Sequence, residues 1–362
     1  MAEHTRSPRA AKAVWFVTRK YPPSIGGMEL LSWELTTRIA RRRPTKIVAL
    51  QSGSPWLPLF LLASVARVLA AAASGSIAVL HLGDPVLAPI GALARLLRVP
   101  VCVTVHGLDV TYPNPLYQLW LRVFFRRLDA YVCISGAARD AAVARGAPRE
   151  RTNVIGVGLA VPDPAEPVPA RDPDLLLFVG RLVRRKGLSW FVEAVLPPLS
   201  VRNPRVRLAI IGTGPERGAI EAAAAERGVG DRLIWLGAAS DADKWRWLHT
   251  ASVCVMPNVQ VPGDIEGYGI AALEAAAAAC PLVAADLEGL RDAVVDGEGG
   301  RLVASANAEK WVDAVHAFLA RPVVAREFGD RARAWVRTHR DWDSVCDRYE
   351  EVFASIAHRS AR

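Results

Sequence analysis

The sequence has no two cysteines close enough to form a metal or redox motif. Its five cysteines, Cys102, Cys133, Cys254, Cys280 and Cys346, are scattered and odd in number, which excludes a Cys-based metal site and a C-x-x-C redox centre. Cys102, Cys133 and Cys254 sit inside apolar runs, where a thiol serves as a small core residue, and a reduced, cytoplasmic setting is expected. No Asp-x-Asp and no His-rich cluster with ligand spacing is present, so no bound metal is expected. Neither the G-x-G-x-x-G dinucleotide fingerprint nor a Walker loop with Gly-Lys-Ser/Thr occurs. Aromatic RNP stretches are absent too, so no nucleic-acid partner is expected. Met1 to Lys12 is polar and basic and lacks the apolar stretch of a signal peptide. Lysine is scarce beside arginine, a bias that carries no functional reading.

Core-forming material, by contrast, is abundant. The 362 residues are 51% hydrophobic and 22% charged, enough for two domains and unlike a disordered chain. Net charge is +9 but unevenly placed. Residues 1–160 hold 20 Lys/Arg against 8 Asp/Glu, a net of +12, and residues 161–362 hold 25 against 28, a net of −3. A basic front half suits an anionic partner such as a lipid headgroup, a phosphate-bearing acceptor or nucleic acid; the plain alternative is a solvated, arginine-rich surface. Leu57–Ala73, LPLFLLASVARVLAAAA, is short for a bilayer crossing and carries Arg67. It reads as a buried or membrane-surface helix rather than a span.

Apolar strand-like runs alternate with amphipathic runs along the whole chain. Strands are expected at Val14–Thr18, Ile47–Leu50, Ala78–Leu80, Val101–Val105 and Ala130–Ile134, with helices at Met28–Arg42, 57–72, 86–97, 116–127 and 136–145. The pattern breaks at Val161–Pro173, VPDPAEPVPARDP, whose five prolines suit neither a helix nor a central strand. It then resumes with strands at Leu175–Val179, Arg207–Ile211, Leu233–Leu236, Ser252–Met256 and Leu282–Ala284. Helices are expected near 187–200, 215–228, 241–250, 268–279, 289–295 and 307–319. Such alternation predicts an α/β chain of two parallel sheets, each covered on both faces. The domains expected are 1–160, a linker at 161–173, 174–340, and a terminal helical stretch at 341–362.

Four constellations carry chemistry. In Tyr21–Glu29, Gly26 and Gly27 open a helix after the first strand, where free N–H groups suit an anionic oxygen; a tight βα turn needing glycine is the alternative. In Thr104–Asp109, His106 and Asp109 follow a strand end, where ligands of open α/β sheets bind. His106 has a donor for a sugar or phosphate oxygen, or caps the turn. In Phe178–Gly187, Arg181 and Lys186 are spaced to converge on one diphosphate, while Arg184 and Arg185 are compatible with solvated surface. In Gly263–Glu274, Glu266 precedes a helix and Glu274 lies on its second turn. The amides of Tyr268, Gly269 and Ile270 suit a phosphate, and the carboxylates suit paired hydroxyls. Glu274 sits in an almost wholly apolar helix and needs a partner. Gly212, in Gly212-Thr-Gly214, follows a strand and suits a base or ribose, or a simple turn.

Together these motifs resemble glycosyltransferase family 4, the glycosyl transferases group 1, whose retaining members have the GT-B fold. Glu266 and Glu274 resemble its E-x7-E motif, and Gly180-Arg181 with Lys186-Gly187 its G-R-x-x-x-x-K-G site. The Gly26-Gly27 turn, the His106–Asp109 stretch and the closing Trp342–Phe353 helix are similar to its other elements. The resemblance runs from Val14 to about Phe353. It implies two Rossmann-like domains with sheets facing a central cleft, and a last helix crossing back to the first domain. It implies that Arg181 and Lys186 hold the donor diphosphate, Glu266 the sugar hydroxyls and Glu274 the ribose, with His106 facing the transferred sugar. Retention of anomeric configuration and independence of metal follow from the resemblance. The resemblance implies a GDP- or UDP-hexose donor acting as co-substrate, with no cofactor; the wording GDIEGYGIAALEAAA is similar to members that use GDP-mannose or related hexose donors, so a sugar of mannose or glucose type is expected. The acceptor expected is lipid-linked, a glycan or a small molecule; a lipid acceptor at the cytoplasmic face of an anionic membrane, met by peripheral contact, would fit the +12 charge of residues 1–160. An epimerase-like relative or a non-catalytic sugar-nucleotide-binding protein is the alternative.

Overall fold

A computed structural model describes residues 12–24, 26–51, 54–161 and 169–361. The N-terminal stretch before Lys12 and most of the expected linker lie outside the described residues. The chain divides into two compact units. Unit 1 comprises Met1–Ile134, Ala138–Ile155 and Trp342–Arg362, and unit 2 comprises Ser135–Ala137 and Gly156–Asp341.

Unit 1 begins with β1 (Ala13–Thr18), α1 (Gly27–Arg42), β2 (Thr45–Ala49), α2 (Leu57–Ala73) and β3 (Ile77–Leu82). It continues with α3 (Ala88–Leu96), β4 (Val101–Val105), α4 (Leu108–Thr111), α5 (Pro115–Phe124), β5 (Ala130–Cys133), α6 (Gly136–Ala144) and β6 (Thr152–Val154). The strands pair in parallel, in the order β2-β1-β3-β4-β5-β6. Central strands such as Val101–Val105 are buried throughout, which is why they read as unbroken apolar runs rather than alternating ones. The edge strand β6 was not expected, because three half-buried residues leave no pattern.

In α1 the spacing of Leu31, Leu35 and Ile39 buries one face. Glu29 in its first turn and Arg41 and Arg42 in its last complement the helix dipole. In α2 only Ser64, Val68 and Ala71 are buried, so the buried-helix reading of Leu57–Ala73 is not what the fold adopts. Leu59 and Leu62 are exposed, and Leu57, Phe60, Leu61, Val65 and Leu69 are half-buried. No described helix is long and apolar enough to cross a membrane.

Unit 2 opens with β7 (Asp172–Val179), α7 (Leu188–Ala194), α8 (Leu196–Arg202), β8 (Arg207–Ile211), α9 (Arg217–Glu226), β9 (Leu233–Gly237) and α10 (Asp241–Thr250). There follow β10 (Ala251–Met256), α11 (Ile270–Ala277), β11 (Leu282–Ala285), α12 (Leu290–Ala293), β12 (Arg301–Val303), α13 (Ala308–Leu319) and α14 (Pro322–His339). Its strands are also parallel, in the order β12-β11-β10-β7-β8-β9. The helix expected over 187–200 is two, because Pro197 and Pro198 lack the N–H groups needed to continue α7 and instead begin α8.

The last helix, α15 (Trp342–Ala361), packs on α1, β3 and β5 of unit 1. Its Tyr349 hydroxyl bonds Thr104 Oγ1 at 3.0 Å, and Thr104 Oγ1 bonds His81 Nε2 at 2.9 Å. Burial, with a smaller push from His106, drops the His81 imidazole to about 3, so His81 is a neutral core residue. Phe16 and Phe353 close around it. All five cysteines are buried and free.

The contact between α11 and α14 depends on Gly329. A Cβ there would lie 2.0 Å from the backbone oxygen of Ala279. Gly329→Ala should gain about 1 kcal/mol of helix propensity but lose more to the clash, for a net destabilisation of about 2 kcal/mol. A denaturant midpoint at or above that of the parent would refute this packing.

Candidate functional site

The groups singled out in the back half gather at the carboxyl edge of the unit 2 sheet. After β7 the chain bonds sideways to its neighbour, with the Gly180 N–H donating to Ile211 O at 2.9 Å and the Leu182 N–H to Thr213 O at 2.9 Å. Gly212, following β8, donates its N–H to Gly237 O at 2.8 Å. Residues Arg184–Lys186 then make one tight helical turn before α7. Gly187 ends that turn at φ 66°, and a Cβ would meet Pro257 O at 1.9 Å. Only glycine fits there.

This turn sorts the four cations. Arg185 and Lys186 point inward and are 6% and 8% exposed, whereas Arg181 and Arg184 stay in solvent. The surface reading therefore holds for Arg184 and fails for Arg185. Lys186 Nζ lies 2.6 Å from Glu266 Oε2, and Asn258 Nδ2 donates to the same oxygen at 2.8 Å. Arg185 Nε stands 3.7 Å from it, while Arg185 Nη1 donates to Asp264 Oδ1 at 3.3 Å. Burial by itself would raise the Glu266 carboxyl, but Lys186, Arg185 and the two hydrogen bonds hold it below the ordinary glutamate range. Sequence reasoning found Lys186 and Glu266 but missed Arg185, Asn258 and Glu288. Glu288 accepts the Glu266 N–H at 2.6 Å, and Gly289 returns an N–H to Glu266 O at 3.1 Å. Glu288 has φ 47°, a conformation no motif signals.

Buried Tyr268 and Gly269 lead into α11, whose first N–H groups have no side-chain cap. Ile270 is its first residue. Glu274 lies one turn further on, and its Oε1 accepts from Lys244 Nζ of α10 at 2.7 Å. This is the partner that an acid in an apolar helix requires; nothing in the spacing of α10 pointed to Lys244. Burial raises the Glu274 carboxyl and Lys244 pulls against it. Burial would lower the Lys244 ammonium, but Glu274 and Asp241 raise it overall. Lys244 is further held by Asp241 at 2.9 Å.

In unit 1, His106 follows β4 and is buried. Its Nε2 sits 3.0 Å from Gly83 O, and its own N–H donates to Asp109 Oδ2 at 2.9 Å. A carbonyl only accepts, so Nε2 carries the proton and Nδ1 is the nitrogen left to accept. The Nε2–H that the sequence offered to a sugar or phosphate oxygen is thus donated to Gly83 O. Burial raises the Asp109 carboxyl, and His106 works against that rise. At the start of α1, Gly26 faces a carboxylate the chain itself supplies. A Cβ at Gly26 would touch Glu29 Oε2 at 2.5 Å, and Glu29 pairs with Lys20 at 3.3 Å. Among the described residues no three His, Cys, Asp or Glu side chains gather around a metal position.

Glu266→Gln should cost about 3 kcal/mol near neutral pH, because Lys186 stays buried without its counter-charge. The Glu266 carboxyl is lowered on folding, so its contribution is present above the ordinary glutamate range and disappears as pH falls through the lowered value. The gap between parent and variant in urea unfolding should therefore narrow in acid. A gap that is absent at neutral pH, or that widens in acid, would contradict this account.

Residues 6–158 match the family model of the glycosyl transferase 4-like domain, and residues 173–321 match that of glycosyl transferases group 1. The phosphatidyl-myo-inositol mannosyltransferase of Mycolicibacterium smegmatis is 30% identical over 291 residues, covering 79% of this chain and 73% of that protein. A glycogen synthase of Mycobacterium tuberculosis is 28% identical over 299 residues, 76% and 68% of the two chains. Among solved structures, Anabaena HepE in complex with UDP superimposes with a TM-score of 0.75 at 17% identity, over 95% of this chain and 100% of that one. Sucrose-phosphate synthase from Thermosynechococcus elongatus gives 0.73 at 19% identity, over 95% and 99%. With a parallel sheet in each unit and these relatives, the chain belongs to glycosyltransferase family 4, the glycosyl transferases group 1, and is a glycosyltransferase of the GT-B fold.

Proposed function

We propose that the enzyme moves a hexose from a nucleoside-diphosphate sugar to a lipid-linked, glycan or small-molecule acceptor, with retention of anomeric configuration and without a metal. The observation that carries this reading is the Lys186–Glu266 pair, 2.6 Å apart at the strand edge before α11. An ammonium has three N–H donors, so Lys186 can keep Glu266 and still face a diphosphate. Exposed Arg181 adds a planar fork, and the amides at Tyr268, Gly269 and Ile270 add the start of a helix. These groups stabilise charge that grows on the leaving phosphate. Leaving-group oxygens on the same face then assist the incoming acceptor. Glu266 accepts from sugar hydroxyls. Glu274 gives one oxygen to Lys244 and the other to the ribose. Gly212 lies beside the base or ribose. In unit 1, His106 is the group assigned to the sugar, accepting a hydroxyl at Nδ1, with the Gly26-Gly27 turn at the acceptor side.

A mannosyl donor is favoured by the wording of Gly263–Glu274 and by relatives named phosphatidyl-myo-inositol mannosyltransferases. A neighbour crystallised with UDP-glucose keeps a glucosyl donor as the competing choice. Transfer assays and thermal shift with GDP-, UDP- and ADP-hexoses decide the donor, and no turnover with any of them would end this reading. Lys186→Ala should lower kcat at least about tenfold; a smaller loss would remove Lys186 from the leaving-group role. Glu274→Ala should weaken binding of the free nucleoside diphosphate, and an unchanged Kd would contradict the ribose assignment.

A lipid acceptor requires the enzyme to work at a bilayer surface. Support comes from the net charge of +12 in residues 1–160 and from apolar side chains facing solvent on α2 and α5. These are Leu59 and Leu62 of α2, with Trp56 just before it, and Leu116, Leu119 and Val123 of α5; Leu62 and Leu116 are 70% and 79% exposed. Binding to anionic liposomes that weakens with salt is expected. No binding at low salt would rule out the peripheral membrane role.

A further inference from the structure

Glu288 holds the backbone of Glu266 from a conformation that a glutamate disfavours. It lies between β11 and α12 with φ 47°, in the left-handed region that suits glycine. A glycine stands next in the chain, yet Gly289 has φ −64°, an ordinary helical value. Position 289 excludes a side chain for a different reason: a Cβ there would lie 2.3 Å from Gly267 O and 2.7 Å from Glu266 O. The glycine therefore serves the close approach, and a glutamate occupies the strained place. Strain of this kind persists where the side chain does something that glycine would not.

The carboxylate supplies that something. Glu288 Oε2 accepts the Glu266 N–H at 2.6 Å, while Glu266 O accepts the Gly289 N–H at 3.1 Å. The two bonds grip the N–H and the C=O of one residue. Burial raises the Glu288 carboxyl, and the bond from the Glu266 N–H works against that rise. At the other end of Glu266, Lys186, Asn258 and Arg185 all approach the same oxygen, Oε2. Contacts to one oxygen let a carboxyl group turn about it. The direction of Oε1 is then set by the backbone, and the backbone is set by Glu288 and Gly289.

We propose that Glu288 is a positioning residue for Glu266: by fixing the Glu266 N–H it aims Oε1, the oxygen that meets the sugar hydroxyls. The proposal rests on the sugar contact given to Glu266 above and adds a residue that acts only through it. Without Glu288 the grip on the nucleoside diphosphate stays, and the contact with the sugar loosens.

Substitutions at 288 separate reach from charge and strain. Glu288→Gly removes the strain together with the carboxylate. Glu288→Gln and Glu288→Asn carry the same amide and differ by one methylene. The Gln oxygen reaches the Glu266 N–H; Asn tolerates the left-handed φ but falls short. Calorimetry on the full chain compares GDP-mannose, UDP-glucose and ADP-glucose with GDP, UDP and ADP. The Gly and Asn variants should bind the parent's sugar nucleotide about tenfold more weakly, with the matching free diphosphate changed less than about twofold. Glu288→Gln should recover most of the loss. Glu288→Gly should keep a thermal midpoint within about 3 °C of the parent's, since glycine suits the φ. A midpoint far lower, Gln and Asn variants that bind alike, or a free diphosphate weakened as much as its sugar nucleotide would overturn the role. Glu266→Ala tells its failure from that of the sugar contact. If Glu266→Ala weakens the sugar nucleotide while the Glu288 variants match the parent, only the role of Glu288 is wrong. If Glu266→Ala binds like the parent, or the parent holds none of the three, the sugar contact fails and takes the role of Glu288 with it.

Discussion

The buried ion pair of Lys186 and Glu266 is the constraint around which unit 2 is organised. Taking an ammonium and a carboxylate out of water costs several kcal/mol per ion, and the mutual attraction repays this only with good geometry and further hydrogen bonds. Both conditions are met here. Glu266 receives Lys186 and Asn258 on one oxygen, with Arg185 close behind. Its backbone is clamped by Glu288 and Gly289. Each partner comes from a different loop at the sheet edge: the turn after β7, the segment after β10, and the segment after β11. The pair ties the segments after β7 and β10 together, and the backbone of Glu266 adds the segment after β11.

That arrangement also holds the cation in place, since Lys186 is fixed by Glu266 ahead of α11. The leaving-group role proposed for Lys186 would use such a pre-set cation without reorganisation. The second acid obeys the same rule on a smaller scale. Glu274 would be an isolated charge in an apolar helix without Lys244, and Lys244 is itself steadied by Asp241. Unit 1 solves a different problem. His81 is neutral, and its bond to Thr104 and Tyr349 gives the last helix a polar anchor within an otherwise apolar interface.

Much of the fold could be read from periodicity. Strands such as Val101–Val105 and Arg207–Ile211 have the expected bounds because buried parallel strands are continuous apolar runs with abrupt ends. The edge strands β6 and β12 could not be read that way; three residues at an edge bury too little to leave a pattern. α2 was legible as a helix but not as an exposed one, since composition gives hydrophobicity and not the side on which neighbours sit.

The sequence by itself determined which residues have the chemistry for the site. Glu266, Glu274, Arg181 and Lys186 stand out because a loop–helix pattern with glycines limits where they fall. Only the tertiary structure decided which charges meet. Arg184 and Arg185 are adjacent and chemically identical, yet one turn ending at Gly187 sends the first into solvent and the second against Asp264 and Glu266. Lys244 finds Glu274 across thirty positions, and Arg95 meets Asp129 across thirty-four. Such pairings depend on how strands and helices stack, which side-chain spacing along one segment does not encode.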